Sequence, residues 1–94
     1  MTIIMKYTFA LDGEKYEALF TSYKEVTSFV MEVIEDGVNI MLVKKEFITI
    51  EGILADDDFE WPYKVEIIAA VVAPDHEFKK WIEAETYLKI IGVI

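Results

Sequence analysis

The first twenty residues alternate between apolar and polar positions, which predicts a β-hairpin. The apolar side chains of the first run share one face: Ile3, Met5, Tyr7, Phe9 and Leu11. The Asp12-Gly13 pair that follows favours a two-residue type I′ turn, because both residues accept a positive φ. That turn aligns the apolar faces of both strands, apart from Glu14. The predicted pairs are Leu11 with Glu14, Phe9 with Tyr16, Tyr7 with Ala18 and Met5 with Phe20.

A helix is predicted over residues 22–36. Ser22 and Glu25 have the spacing of a capping box, in which Ser22 accepts from the Glu25 amide and Glu25 reaches back. Gly37 closes the segment as a left-handed C-terminal residue. Between them, apolar residues recur at the spacing of one helix face, which we expect to pack on the hairpin. These residues are Val26, Phe29, Val30, Val33 and Ile34.

The middle of the chain is rich in Ile, Val and Phe, which are typical of strands. Residues 38–43 and 46–54 predict a second hairpin with its turn at Lys44-Lys45. Residues 55–62 hold three consecutive Asp and one Pro, which indicate a loop. Residues 64–73 alternate at first and then become apolar on both faces, which predicts a central strand covered on both sides.

The last third of the chain predicts a helix and a final strand. Pro74 and Asp75 open the helix, with Asp75 as N-cap and Glu77 near the positive end of the helix dipole. Residues 87–94 either extend this helix or form a strand, and the β-branched run around Gly92 favours the strand. The inward face of the helix would carry Phe78, Trp81 and Ile82, with Leu88 as a further candidate.

The elements add up to the order β-β-α-β-β-β-α-β. This order predicts one small α+β domain over residues 1–94, with an antiparallel or mixed sheet and two helices packed on one face.

The charge of the chain narrows the choice of partners. Eighteen Asp and Glu stand against nine Lys with no Arg, which gives a formal net charge of −9. Nucleic acids and anionic membranes are bound through cationic side chains, so we expect direct binding to neither.

The chain has no Cys, hence no disulfide and no thiol nucleophile. With neither a signal-peptide pattern nor an apolar run of about 20 residues, the sequence predicts a cytoplasmic protein.

Candidate catalytic groups are few. His76 is the single histidine, and Asp75 and Glu77 beside it could orient it as a general base. Adjacent residues in the first turn of a helix do not face each other, so we interpret His76 as solvated. No Gly-x-Ser-x-Gly elbow, P-loop or dinucleotide fingerprint is present. We predict a protein without catalytic activity or cofactor.

A calcium-loop pattern begins in the acidic segment but is not completed. Asp56, Asp58 and Glu60 alternate as the first ligands of such a loop do. Trp61 then stands where the loop needs Gly, and Ile67 stands where it needs Glu. We therefore predict no dedicated metal site.

Two acidic stretches are candidate partner-binding surfaces. Residues 56–63 combine four carboxylates with three aromatic side chains. They form either a solvated loop whose aromatic side chains fold back onto the core, or an epitope. In an epitope, the aromatic side chains would anchor the partner and the carboxylates would steer it. Further acids occupy the last turns of the first predicted helix, where the dipole disfavours anions, so they are either screened by solvent or used in binding. The candidate residues are Asp56, Asp57, Asp58, Glu60, Trp61, Glu32, Glu35 and Asp36.

These features favour a small acidic, non-catalytic protein-binding domain. Its partner would be a basic protein, inhibited when the acidic surface occupies its nucleic-acid-binding site. In size, charge and lack of catalytic motifs the chain resembles the DNA-mimic antirestriction and anti-CRISPR inhibitors of phages. The alternative is a homo-oligomeric domain that pairs through sheet edges, as 13 Ile and an uncharged C-terminal segment suggest. A third hypothesis, an enzyme acting through carboxylates alone, requires a carboxyl of raised pKa in a pocket.

Overall fold

The computed structural model describes residues 3–94, which form an α+β protein with one three-stranded antiparallel sheet and four helices. The chain divides into two compact units, one ending at Thr49 and one running from Ile50 to Ile94. Within the described part of the chain, no helix is both long enough and apolar enough to cross a membrane.

The first unit consists of a sheet and one helix. The elements are β1 (Met5–Leu11), β2 (Glu14–Phe20), α1 (Tyr23–Glu35) and β3 (Ile40–Phe47). The strand order is β2-β1-β3, and both pairings are antiparallel. The sheet is therefore purely antiparallel, and β1 is its central strand.

The predicted hairpin is confirmed in its register. The four predicted pairs from Leu11↔Glu14 to Met5↔Phe20 are all present. Asp12 has a φ of 50° and Gly13 a φ of 85°, as a type I′ turn requires. The turn is also joined to the start of β3: the Asp12 N–H donates to the Asn39 carbonyl (2.8 Å), and Asp12 Oδ1 accepts from the Asn39 N–H (2.9 Å).

The predicted helix at residues 22–36 is also confirmed, since α1 covers Tyr23–Glu35 with Ser22 as N-cap. Ser22 Oγ accepts from the Glu25 N–H at 3.3 Å. The Glu25 carboxylate reaches back to Thr21, accepting from its N–H at 2.9 Å and from its hydroxyl at 3.0 Å. Gly37 follows with a φ of 78°, the left-handed conformation that ends many helices.

The core of the first unit lies between α1 and one face of the sheet. Its buried residues are Met5, Tyr7, Phe9, Ala18 and Phe20, with Val26, Phe29 and Val30 of α1 packed against them. The Phe29 ring lies 5.5 Å from the rings of Phe9 and Tyr16 and 5.6 Å from that of Phe20. No residue of α1 is fully buried. Phe29 therefore provides much of the contact between helix and sheet.

The predicted second hairpin is wrong. β3 runs through Lys44 and Lys45 without turning, and it pairs with β1 along its length. Neither lysine favours a tight turn as Gly, Asn or Pro would, and the edge of β1 supplies the pairing. A register shift between Thr8 and Phe9 marks a β-bulge in this pairing. Of the strand predicted over residues 46–54, residues 46 and 47 belong to β3, residues 48 and 49 connect the two units, and residues 50–54 are helical.

The second unit is built from three helices: α2 (Ile50–Ala55), α3 (Trp61–Val72) and α4 (Trp81–Ile90). The strand predicted over residues 64–73 is wrong, because this segment belongs to α3. Pro62 lies in the first turn of α3, where a missing N–H costs nothing. The buried residues Val65, Ile68 and Ala69 follow helical spacing.

Of the two alternatives for residues 87–94, the favoured strand is wrong, and the helix is confirmed over residues 87–90, which belong to α4. Asp75 is not a helix N-cap, because it lies in a turn and α4 begins only at Trp81 after Lys80. Leu88, a candidate for the predicted inward face, is fully buried. Ile82, predicted to lie on the same face, is 54% exposed and does not face the core. The described part of the chain thus forms a sheet of three strands, and the predicted order β-β-α-β-β-β-α-β is not formed there.

Candidate functional site

The first group of candidate residues lies in the loop between α2 and α3, which we call the acidic loop (residues 56–60). Asp57, Asp58 and Glu60 are exposed, and Asp56 is half-buried. The Asp58 N–H donates to Asp56 Oδ1 at 2.9 Å, so Asp56 stabilises the local turn.

The aromatic residues of this segment divide between core and surface. Phe59 is buried, and its ring lies 5.6 Å from that of the half-buried Tyr63. Trp61 is 38% exposed, and its indole N–H donates to the Glu85 carboxylate of α4. Of the predicted aromatic anchors, Trp61 alone keeps a substantial exposed surface beside the acidic loop.

The second group, which we call the α1 cluster, consists of Glu32, Glu35 and Asp36. All three residues are exposed, and they lie at the end of α1, whose last turn contains no basic residue. Asp36 is the C-cap, and its N–H donates to the Glu32 carbonyl at 3.1 Å. Within residues 3–94, no ion pair involves these three carboxylates. The helix therefore ends in negative charge that no side chain of the described residues neutralises.

This arrangement predicts that Glu35→Lys stabilises the protein. A cation at the helix C-terminus interacts favourably with the dipole, and we expect a gain of a few tenths to about 1 kcal/mol at low salt. Urea unfolding followed by circular dichroism would measure it, and the gain should shrink as salt is added. Glu66→Lys, an equal charge change in the middle of α3, is the control. A loss of stability in Glu35→Lys alone would contradict the prediction.

The two acidic groups belong to different units of the chain. The acidic loop and Trp61 lie in the second unit, and the α1 cluster lies in the first. Lysines elsewhere pair with other carboxylates: Lys6 and Lys15 with Glu17, Lys44 with Glu46 and Lys89 with Glu85. The candidate residues thus form two clusters, each to be tested by itself.

His76 lies outside the helices, so its predicted position in the first turn of a helix is wrong. Its side chain is exposed, and its ring lies 4.3 Å from the ring of Phe78 and 5.6 Å from that of Tyr87, on which it stacks. These contacts are those of an aromatic cluster at the surface. Among the residues that the structure describes, no three His, Asp or Glu side chains are grouped to hold a metal ion.

Sequence reasoning missed the buried Lys64. It is 6% exposed, and its Nζ donates to the Leu54 carbonyl at 3.1 Å, which links α3 to the end of α2. In the predicted strand, Lys64 would lie on the polar face, which is directed to solvent, because side chains alternate between the two faces of a strand. In the helix, it lies on the same buried face as Val65 and Ile68.

An open depression of about 420 Å³ lies beside the turn of the first hairpin. Its lining residues are Ala10, Gly13, Asn39, Ile40 and Met41, none of which titrates between pH 2 and 12. This depression offers no carboxylate for acid–base chemistry.

Comparison with protein-family models, curated proteins and solved structures gives no match to this chain.

Proposed function

We propose that this protein is a non-catalytic protein-binding domain that inhibits a basic partner by occupying its nucleic-acid-binding surface. The observation that supports this proposal is the α1 cluster, in which Glu32, Glu35 and Asp36 are exposed at the negative end of a helix and pair with no cation of residues 3–94. The absence of Cys supports a cytoplasmic location as part of the same proposal.

The charge density of the α1 cluster is comparable to that of DNA. A helix rises about 1.5 Å per residue, so the three carboxylates from Glu32 to Asp36 are spread over about 6 Å of helix axis. Duplex DNA carries one charge per about 1.7 Å of its axis. A groove lined with Lys and Arg would therefore meet a similar density of anions on either ligand.

The acidic loop adds a second negative surface. Asp57, Asp58 and Glu60 are exposed, and Trp61 offers a partly exposed indole beside them. Aromatic residues of this type often anchor interfaces whose charged residues set specificity. The net charge of −9 would steer the chain toward a cationic partner, and that attraction should weaken as salt rises.

The proposal is tested by capture of partners from the lysate of the native host, followed by mass spectrometry. Two variants each remove three charges: Glu32→Gln/Glu35→Gln/Asp36→Asn in the α1 cluster and Asp57→Asn/Asp58→Asn/Glu60→Gln in the acidic loop. Asp56 is left in place because its carboxylate holds the local turn. The matched control removes the same charge at other exposed positions, as Glu66→Gln/Asp75→Asn/Glu77→Gln.

We expect the wild type and the control to capture one basic protein, and at least one cluster variant to capture about tenfold less of it. Added duplex DNA should compete with the wild type for that partner. Equal capture by all four proteins would show that neither cluster forms the binding surface. A captured partner that DNA does not displace would contradict the inhibitory mechanism.

A further inference from the structure

The free edge of β3 carries an unusual amount of exposed apolar surface. Among the described residues, β3 pairs with β1 on one side, and its other side is an edge of the sheet. Four of its side chains are more than half exposed: Met41 (68%), Leu42 (53%), Val43 (62%) and Phe47 (63%). The unpaired N–H and C=O groups of an edge strand form a template for another strand, and here the exposed apolar side chains lie on both sides of the charged residues 44–46.

The flank of α1 beside this edge is apolar as well. Phe29 lies over β2, where it stacks on Tyr16, whereas Tyr23 lies over β3 at 5.2 Å from Lys45 Nζ. Ile34 follows Tyr23 by three helical turns and therefore shares its flank. Tyr23 is 56% exposed and Ile34 58% exposed. Helix and strand together form a two-layered apolar edge.

We propose that this edge joins a second copy of the same chain. β3 pairs antiparallel with β3 of the second copy about a two-fold axis, which extends the sheet from three strands to six. The α1 flanks of the two copies then meet across the same axis. Such an isologous contact uses one surface twice, so it needs no other complementary surface on the protein.

Backbone N–H groups of β3 point toward the edge at which the second copy would pair. The Ile48 N–H donates to the Ile4 carbonyl, at the end of the sheet where β3 pairs with β1. Because backbone groups alternate along a strand, the N–H groups of Lys45 and Phe47 point to the free edge. Pairing centred on Lys45 would satisfy them.

The charges of β3 favour a second copy as the occupant. In the antiparallel register centred on Lys45, Lys44 of each copy lies opposite Glu46 of the other, and opposite charges at such positions attract. Lys45 lies opposite Lys45 of the second copy. Its Nζ lies over the rings of Tyr23 and Phe47, at 5.2 and 5.7 Å from their centroids, and these contacts hold the charge away from the axis. The strand has two lysines against one glutamate, so the repulsion expected from a net charge of −9 is reduced here.

This dimer is independent of the acidic surfaces, and its first test is the mass in solution. Sedimentation equilibrium over a concentration series should show a species of twice the 10.9 kDa chain. Leu42→Lys should return the protein to the monomer mass, because it places two new charges at the interface. Ile82→Lys, at a similarly exposed position on α4, should leave the dimer intact. Far-UV circular dichroism would confirm that each variant is folded.

The register is tested by charge reversal between two chains. Lys44→Glu and Glu46→Lys should each weaken the homodimer by about tenfold, since each places like charges opposite one another. An equimolar mixture of these two variants should form a heterodimer, because every opposed pair then has opposite sign. The Lys44–Glu46 ion pair within one chain cannot produce that recovery.

A wild type that stays monomeric at the highest soluble concentration would overturn the dimer. A wild-type dimer that Leu42→Lys does not affect would overturn its assignment to β3. If only a foreign protein bound β3, the mass of the isolated chain would remain that of a monomer, and the proposal would again be overturned.

Discussion

Leu88→Ala should lower the free energy of unfolding by about 2–5 kcal/mol, the usual cost of truncating a buried leucine. Leu88 is fully buried in the second unit, on the same face of α4 as Ala84. The same truncation at Ile90 should change stability by no more than about 0.5 kcal/mol, because Ile90 is 78% exposed. Urea unfolding followed by circular dichroism would measure both.

The comparison of these two variants separates a helix from a strand. Residues two apart lie on the same face of a strand but on different sides of a helix. If residues 87–90 formed a strand, Leu88 and Ile90 would share one environment and their truncations would cost similar amounts. Equal losses in the two variants would therefore contradict α4.

Phe29→Ala should destabilise the first unit by about 3 kcal/mol, near the lower end of the range for core phenylalanine because Phe29 is only half-buried. Its ring contacts three aromatic rings of the sheet, and no residue of α1 is fully buried. The substitution removes the main contact between α1 and the sheet.

Met31→Ala, at an exposed position of the same helix, is the control for Phe29→Ala and should cost no more than about 0.5 kcal/mol. Both losses are read from urea titrations at one protein concentration. A loss below about 1 kcal/mol at Phe29 would show that Val26 and Val30 hold the helix without it.

The first hairpin and α1 could be predicted from the sequence because their local signals agree. The Asp12-Gly13 turn fixes the hairpin register, and the alternation on either side of it allows one register only. Ser22 and Glu25 mark the start of α1, and Gly37 marks its end. Each signal depends on a few neighbouring residues, so no knowledge of distant contacts was needed.

The second unit could not be predicted in this way. Residues 64–73 are apolar on nearly all sides, and an apolar run of this length fits a buried helix as well as a central strand. Pro62 is typical of the end of a loop, but it is equally typical of the first turn of a helix, where it lies in this structure. β-branched residues near the C-terminus favour strands by propensity, but tertiary packing of Leu88 overrides that preference.

The candidate site could be predicted in part. The structure places Asp57, Asp58, Glu60 and the α1 cluster at exposed positions. Charged side chains are exposed in most proteins, so their charge alone predicts this result. The burial of Phe59 and the bond of Trp61 to Glu85 could not be foreseen, because both depend on how α3 begins and on α4. The sequence does not predict the apolar edge of β3, because the adjacent Lys44 and Lys45 indicate a turn and not a continuous strand.

The hydrogen bonds between Asp12 and Asn39 have a consequence for the order of folding. The hairpin and α1 contain mainly local contacts, which form fast, whereas β3 reaches β1 only after a loop of about 28 residues closes. Asp12 and Asn39 lie where that closure begins, beside the Leu11↔Ile40 pair. Closure of this loop is therefore the step that should limit the folding rate of the first unit, and the hydrogen bond of the Asp12 carboxylate should favour it.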